Sequence, residues 1–398
     1  MFGTMKKKDA ITKIAILYLV IFCIHFLPIE GYVVAYVKFT AMAIAPILTL
    51  VYVPCFSRAA FWCIIYYISV FFSLWMSQGL LRWSSIIFSG MFLVMYVFFY
   101  NLTYSGAFSI MTFIKVIRYL IISYAICLIC QQICCLIGIH YMPIINLVNP
   151  NCSQISKLNS LHIEPSSAAR TLACLMFALI KTTEIRVGSP PSLRELYTLY
   201  KYEILGWTWT MLTMGSGTAF VCIIILSLYF LKKKYVKFVI IFLFMGIIVV
   251  PRMNIENLNR ALDVFEAVKS LDADTVKNAD GSAAVRVLPI INTINNFDLS
   301  SYKFWWGQGL PEKGKINPYS SDNMIGCITT FGFLSYLFSL GIIFRCAIRR
   351  FISLPTLMHF IGVGGGVSNI AYGWGLLMIF TVLYYLEFKQ INNHGVKS

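Results

Sequence analysis

Runs of about 20 apolar residues recur along nearly the whole chain, and each is long enough to cross a bilayer core of ~30 Å as a helix. Backbone N–H and C=O groups find no water in lipid, so the runs are predicted as helices rather than open sheet. Composition agrees: 59% of the 398 residues are hydrophobic and 12% charged, about half the charged share of a soluble domain. Mean hydropathy is +0.77. Spans are expected near 11–29, 32–54, 59–77, 84–104, 113–139, 166–184, 203–214, 216–231, 236–251, 322–344, 355–369 and 371–387. The seventh, eleventh and twelfth are short or glycine-interrupted, which leaves the count at eleven or twelve. The expected fold is an all-α polytopic membrane protein, with residues 1–398 forming a single integral membrane domain.

The net charge of +16 invites a nucleic-acid reading, and its layout argues against one. Residues 252–321 hold eight basic and eight acidic side chains and are neutral. The basic excess lies in short clusters beside apolar runs: Lys6-Lys7-Lys8, Arg58, Lys115/Arg118, Lys181/Arg186/Arg194/Lys201, Lys232-Lys233-Lys234/Lys237, Arg345/Arg349/Arg350 and Lys389/Lys397. With both termini in the cytoplasm all of these fall on one side, as the positive-inside rule requires. The N-terminal lysines begin like a signal peptide, but without a convincing small-residue cleavage site the first run is read as a retained span. Most of the twelve cysteines, Cys127-x-x-Cys130 included, sit inside apolar runs and are read as small apolar residues.

Two external segments follow from this orientation. Residues 140–165 run from His140 through Asn149-Pro150-Asn151 to Leu161-His162-Ile163-Glu164-Pro165. Residues 252–321 form the larger loop. It opens on an amphipathic helix with Ile255, Leu258, Leu262, Phe265, Val268 and Leu271 spaced by three and four. A second helix carrying Arg286 is expected after the Asp280-Gly281-Ser282 turn. Phe304-Trp305-Trp306-Gly307-Gln308-Gly309 then forms an aromatic cluster ending in a glycine turn, suited to the membrane interface or to sugar stacking.

No Walker loop, Rossmann glycine pattern, zinc helix or calcium loop is present, so chemistry is expected at the external membrane face. Glu164-Pro165-Ser166 opens the sixth span, where proline fits the first turn and a polar neighbour caps free N–H groups. Capping leaves Arg170, a turn deeper, unexplained. It is either one half of an internal pair with Glu164 or, with the helix N-terminus, an anion site. Met214-Gly215-Ser216-Gly217-Thr218 is a tight turn or an oxyanion cradle. Arg252 is a membrane anchor or a phosphate contact, Arg260 fits a solvated helix face, and Lys38 is accounted for by snorkelling. Asp322-Asn323 is a helix cap or a carboxylate placed to accept a hydroxyl proton.

These landmarks in this order resemble the Wzy-type O-antigen and capsular polysaccharide polymerases, and more distantly the O-antigen ligases. The resemblance spans most of the chain in topology and only short motifs in sequence. Those are Glu164-Pro165-Ser166, the turn at Ser216, Arg286 before Gly307-Gln308-Gly309, and Ser321-Asp322-Asn323. It implies a metal- and cofactor-independent membrane glycosyltransferase of the bacterial inner membrane. Such an enzyme moves a growing glycan from undecaprenyl diphosphate onto a sugar hydroxyl of a new lipid-linked repeat unit. The resemblance implies catalytic roles for Glu164, Arg170, Arg286 and Asp322, with substrate contacts from Ser166, Ser216, Arg252, Arg260, Gly307, Gly309 and Asn323. Implied partners are the lipid-linked oligosaccharides and the bilayer, with room for a flippase and a chain-length regulator. In the ligases a His-Asn pair resembles the place of Asp322-Asn323, and its absence favours a polymerase. The family's serine/glycine turn often carries an arginine, where this chain has Gly217-Thr218. A transporter or flippase is the alternative of another class, and it would spread polar side chains along mid-span.

Overall fold

The computed structural model describes residues 2–25, 36–76, 83–149, 153–231, 298–307, 309, 324–363 and 371–395. The first half holds α1 (Phe2–Cys23), α2 (Tyr36–Tyr52), α3 (Arg58–Met76), α4 (Trp83–Tyr104), α5 (Ile110–Leu136) and α6 (Pro165–Val187). The second half holds α7 (Leu193–Leu199), α8 (Lys201–Thr213), α9 (Gly217–Ser227), α10 (Tyr302–Trp306), α11 (Met324–Ile342), α12 (Leu354–Val363) and α13 (Ala371–Gly395). A π-helical turn, Ile343–Ala347, continues α11. Among the described residues no β-strand forms, and β pairing is confined to the isolated bridges Met142–Leu147 and Gln154–Lys157.

Helix ends follow local chemistry. Ser109 caps α5 by accepting the Thr112 N–H at 3.0 Å. Pro165 occupies the first turn of α6, and Gly188 closes that helix in the left-handed region. The seven-residue α7 was not foreseen, because it is too short and polar to register as a span. Its Ser192/Glu195 capping box explains it, each side chain bonding the other's backbone N–H.

α13 lies at the centre and packs against α1, α4, α6 and α12. Close packing there depends on Gly375, where a Cβ would stand 2.5 Å from the Phe22 carbonyl oxygen of α1. α5, α8 and α9 gather around α6, while α3 and α11 pair on the other flank. Outward-facing positions are apolar: Ile47, Leu50 and Val51 on α2 and Ile64 and Ile68 on α3 are all exposed. A helix with its face in water would carry polar groups there.

The stretches Arg58–Met76, Ile86–Tyr104 and Ile110–Leu136 are long and apolar enough to cross a membrane. Shorter apolar stretches are Tyr36–Tyr52, Gly217–Phe230 and Phe331–Ala347. Successive helices reverse direction, and the contacts pair their ends consistently. His25 N–H bonds the Leu161 carbonyl at one end of the bundle. Lys181 meets Glu387, and Gln390 meets the Ile185 carbonyl, at the other. The span expected at 236–251 and the amphipathic helix expected from Ile255 lie outside the described residues.

Candidate functional site at one end of the bundle

The loop before α6 is built around buried amides that tie three chain segments together. Asn146 Nδ2 donates to the carbonyls of His25 at 3.2 Å, Ser160 at 2.9 Å and His162 at 2.9 Å. Asn159 Nδ2 donates to the His162 carbonyl at 2.6 Å. Gln131 of α5 gives its Nε2 to the Ile145 carbonyl at 2.8 Å and takes the Ser160 N–H on its Oε1 at 2.9 Å. Such a fully bonded network fixes the loop's shape at the mouth of the bundle.

On that frame His162 is completely buried, with each ring nitrogen facing a hydroxyl of α6: Ser167 Oγ at 2.8 Å from Nδ1 and Thr171 Oγ1 at 3.2 Å from Nε2. Ser167 Oγ also donates to the Glu164 carbonyl at 2.9 Å. Thr171 Oγ1 in turn donates to the Ser167 carbonyl at 3.0 Å, so burial rather than these bonds keeps the ring neutral. Burial holds the His162 pKa well below its usual value, and the nearby charges of Lys38, His25 and Arg170 push the same way. His25 lies 6.1 Å from His162, ring centre to ring centre. Lys38 Nζ sits 3.4 Å from His25 Nδ1 and 6.0 Å from the Phe22 ring centre.

Lys38 corrects an expectation. It does not snorkel to the surface but is 4% exposed. Among the described residues no carboxylate forms an ion pair with it. Glu164 stands at the N-cap position of α6 in extended conformation, yet its side chain makes no cap bond. Its carboxylate is exposed and accepts from Ser166 Oγ at 3.3 Å. The internal Glu164–Arg170 pair weighed from sequence is not among the ion pairs of the described residues. Arg170 is half-buried, with its Nε covered, and its charge reaches His162 on one side and Cys222 of α9 on the other.

The Ser216 turn belongs to the same end. Gly215 has φ +68°, and a Cβ there would stand 1.6 Å from the Ser156 carbonyl oxygen. Only glycine lets the turn press against the 153–160 loop. Ser216 is buried at the start of α9, which packs on α6, and its hydroxyl makes no cap bond. Glu164, Ser166 and Arg170 thus lie at the start of α6 and Ser216 at the start of α9, which packs on it.

Gly307 and Gly309 occupy a different set of elements. Both have positive φ, 84° and 78°, and they follow α10, which packs on α3 and α11. Phe304 is buried and stacks on Phe333 of α11 at 5.1 Å, while Trp306 approaches Phe72 of α3 at 6.4 Å. The aromatic cluster is thus partly a helix-packing feature, though Trp305 and Trp306 keep some exposure. Arg252, Arg260, Arg286, Asp322 and Asn323 lie outside the described residues.

Sequence reasoning passed over His25 and His162 and gave Lys38 a bland role. Two signals were available: Ser167 and Thr171 four residues apart on one face of α6 directly after a histidine, and a lysine inside an apolar run. No protein-family model, curated protein or solved structure matches this chain.

Proposed function

We propose that the chain is a polytopic membrane protein that transfers a glycan from a lipid diphosphate to a sugar hydroxyl, polymerising lipid-linked repeat units outside the cytoplasmic membrane. The single observation that carries this reading is the gathering of Arg170, Lys38 and two histidines behind an exposed carboxylate–hydroxyl pair, Glu164 and Ser166. Membrane embedding is supported by the apolar outward faces and by alternating helices whose basic clusters lie at the end opposite Arg170.

In the transfer, the bond between the anomeric carbon and the diphosphate oxygen breaks. A bond from the acceptor hydroxyl oxygen to that carbon forms. The acceptor's proton passes to a carboxylate, for which Glu164 is accessible, and the negative charge left on the lipid diphosphate faces Arg170. An arginine suits a diphosphate because its planar fork donates two parallel bonds to phosphate oxygens. His162, neutral and held by Ser167 and Thr171, positions the first turn of α6 rather than supplying charge. Arg286 and Asp322, outside the described residues, complete the proposed set.

The test is purified protein given one defined lipid-diphosphate-linked repeat unit, with products resolved by gel. A ladder of lipid-linked polymer is expected. Movement of intact substrate across vesicles without bond formation would replace this proposal with the transporter reading, and transfer to lipid A core alone would make the chain a ligase.

A further inference from the structure

The opposite end of the bundle carries two adjoining hollows of contrasting character. The first, 480 Å³, lies between the C-terminal turns of α6 and α13 and the segment joining α11 to α12. Its polar wall includes Lys181, Glu184, Glu387, Arg349 and Arg350. The second, 640 Å³, is lined almost wholly by apolar side chains, among them Leu228, Phe351, Leu357 and Phe360. Ser353 and Leu354 line both, so the two adjoin.

Charge within the first hollow is already sorted. Lys181 is held by Glu184 at 2.9 Å and Glu387 at 3.4 Å, and Tyr229 donates its hydroxyl to Glu184 at 2.6 Å. Lys181 is thus shared between two carboxylates and is not free for a ligand. Arg349 and Arg350 are exposed at the rim and form no ion pair among the described residues. Backbone geometry fixes their presentation, since the Arg350 carbonyl accepts from both Ser353 Oγ at 2.8 Å and Thr356 Oγ1 at 2.7 Å.

A cationic rim between a polar hollow and an adjoining apolar groove matches one kind of molecule, a single amphiphile with an anionic head. We propose that this is a binding site for an anionic phospholipid of the inner leaflet. Its phosphodiester head would meet Arg349 and Arg350, and one acyl chain would lie against Leu357 and Phe360. The basic clusters Arg345/Arg349/Arg350, Lys181/Arg186 and Lys389 lie at this end, where an anionic leaflet surface attracts them. The inference rests on the chain lying in a membrane and is independent of the chemistry proposed at the other end.

The experiment uses the purified full-length chain in nonionic detergent, titrated with phosphatidylglycerol and followed by native mass spectrometry and thermal unfolding. Phosphatidylglycerol is expected to bind and raise the unfolding temperature, while phosphatidylcholine of the same chains and inorganic phosphate do not. Replacing two surface cations in R349Q/R350Q is expected to weaken phosphatidylglycerol binding about thirtyfold. Leu357→Trp, at an exposed position that tolerates bulk, is expected to fill the groove and weaken binding with both arginines present. Equal binding of phosphatidylcholine would overturn the proposal, as would inorganic phosphate giving the full stabilisation. Undiminished phosphatidylglycerol binding by Leu357→Trp would overturn it as well. Because none of these readouts measures glycan transfer, their failure is separable from failure of the transferase.

Discussion

The two ends of the bundle handle charge in opposite ways. At the end near Lys181, cations meet carboxylates: Arg118 Nε to Glu203 at 2.6 Å, and Lys181 to both Glu184 and Glu387. At the end near His162, Lys38, His25 and Arg170 each lie within electrostatic reach of that ring, and the exposed Glu164 accepts from Ser166. The ion pairs near Lys181 hold helices together, with Arg349 and Arg350 exposed beside them, whereas the charge around His162 is proposed to receive a lipid diphosphate. The contrast also shows why the +16 net charge alone said little: its meaning lies in how each cation is matched.

The comparison breaks most readily at Arg170. Arg170→Ala is expected to lower transfer about a hundredfold or more, the usual scale for losing a donor to developing negative charge. Protein level in the membrane should stay unchanged, so turnover by the purified variant is the measurement. Normal long polymer from the variant would remove Arg170 from the chemistry.

At the other end the effect should be on stability. Glu203 has a side chain 5% exposed, whereas Arg118 is 45% exposed. Arg118→Ala therefore strands a buried carboxylate and is expected to cost about 3 kcal/mol. Glu203→Gln strands only a half-exposed cation and should cost clearly less. Thermal unfolding of the two variants reads this asymmetry, and equal losses would contradict it.

His162 sharpens the comparison through pH. Its folded pKa lies well below the unfolded value of about 6.5, so the unfolded chain takes up a proton that the native state refuses. Stability contributed by neutral His162 is present above that unfolded value and falls as pH drops below it, by at most ~1.4 kcal/mol per pH unit. Unfolding midpoints measured between pH 7.5 and 5.5 should show this acid-side slope, reduced in His162→Gln. The smallest effect is expected at Lys38. Lys38→Met should leave unfolding nearly unchanged and weaken diphosphate binding by about tenfold or less, as one cation near an anion is worth ~1 kcal/mol.

Much of the helix framework was legible in sequence because an apolar run declares itself without reference to its neighbours. The runs expected at 59–77, 84–104 and 113–139 appear as α3, α4 and α5 with ends shifted by three residues or fewer. α6 opens at Pro165, as the Glu164-Pro165-Ser166 signature indicated. α7 was legible too, since Ser192-x-x-Glu195 is a local signal, but a search for apolar runs passes over it. The cluster around His162 was not legible as a whole. His25, Lys38, His162 and Arg170 come from separate segments, and only tertiary packing brings them together. Ser216 opens α9 and Glu164 precedes α6, two helices that pack together. Gly307 and Gly309 were chosen for their turn, and they serve the α3–α11 flank.

The central claim is that the cations around Arg170 receive a lipid diphosphate. Its most direct test is native mass spectrometry of the detergent-purified chain with undecaprenyl diphosphate against undecaprenyl monophosphate. Preferential retention of the diphosphate by the native protein, abolished in Arg170→Ala and kept in R349Q/R350Q, is the predicted result. Equal retention of the two lipids, or a preference that survives Arg170→Ala, would contradict it.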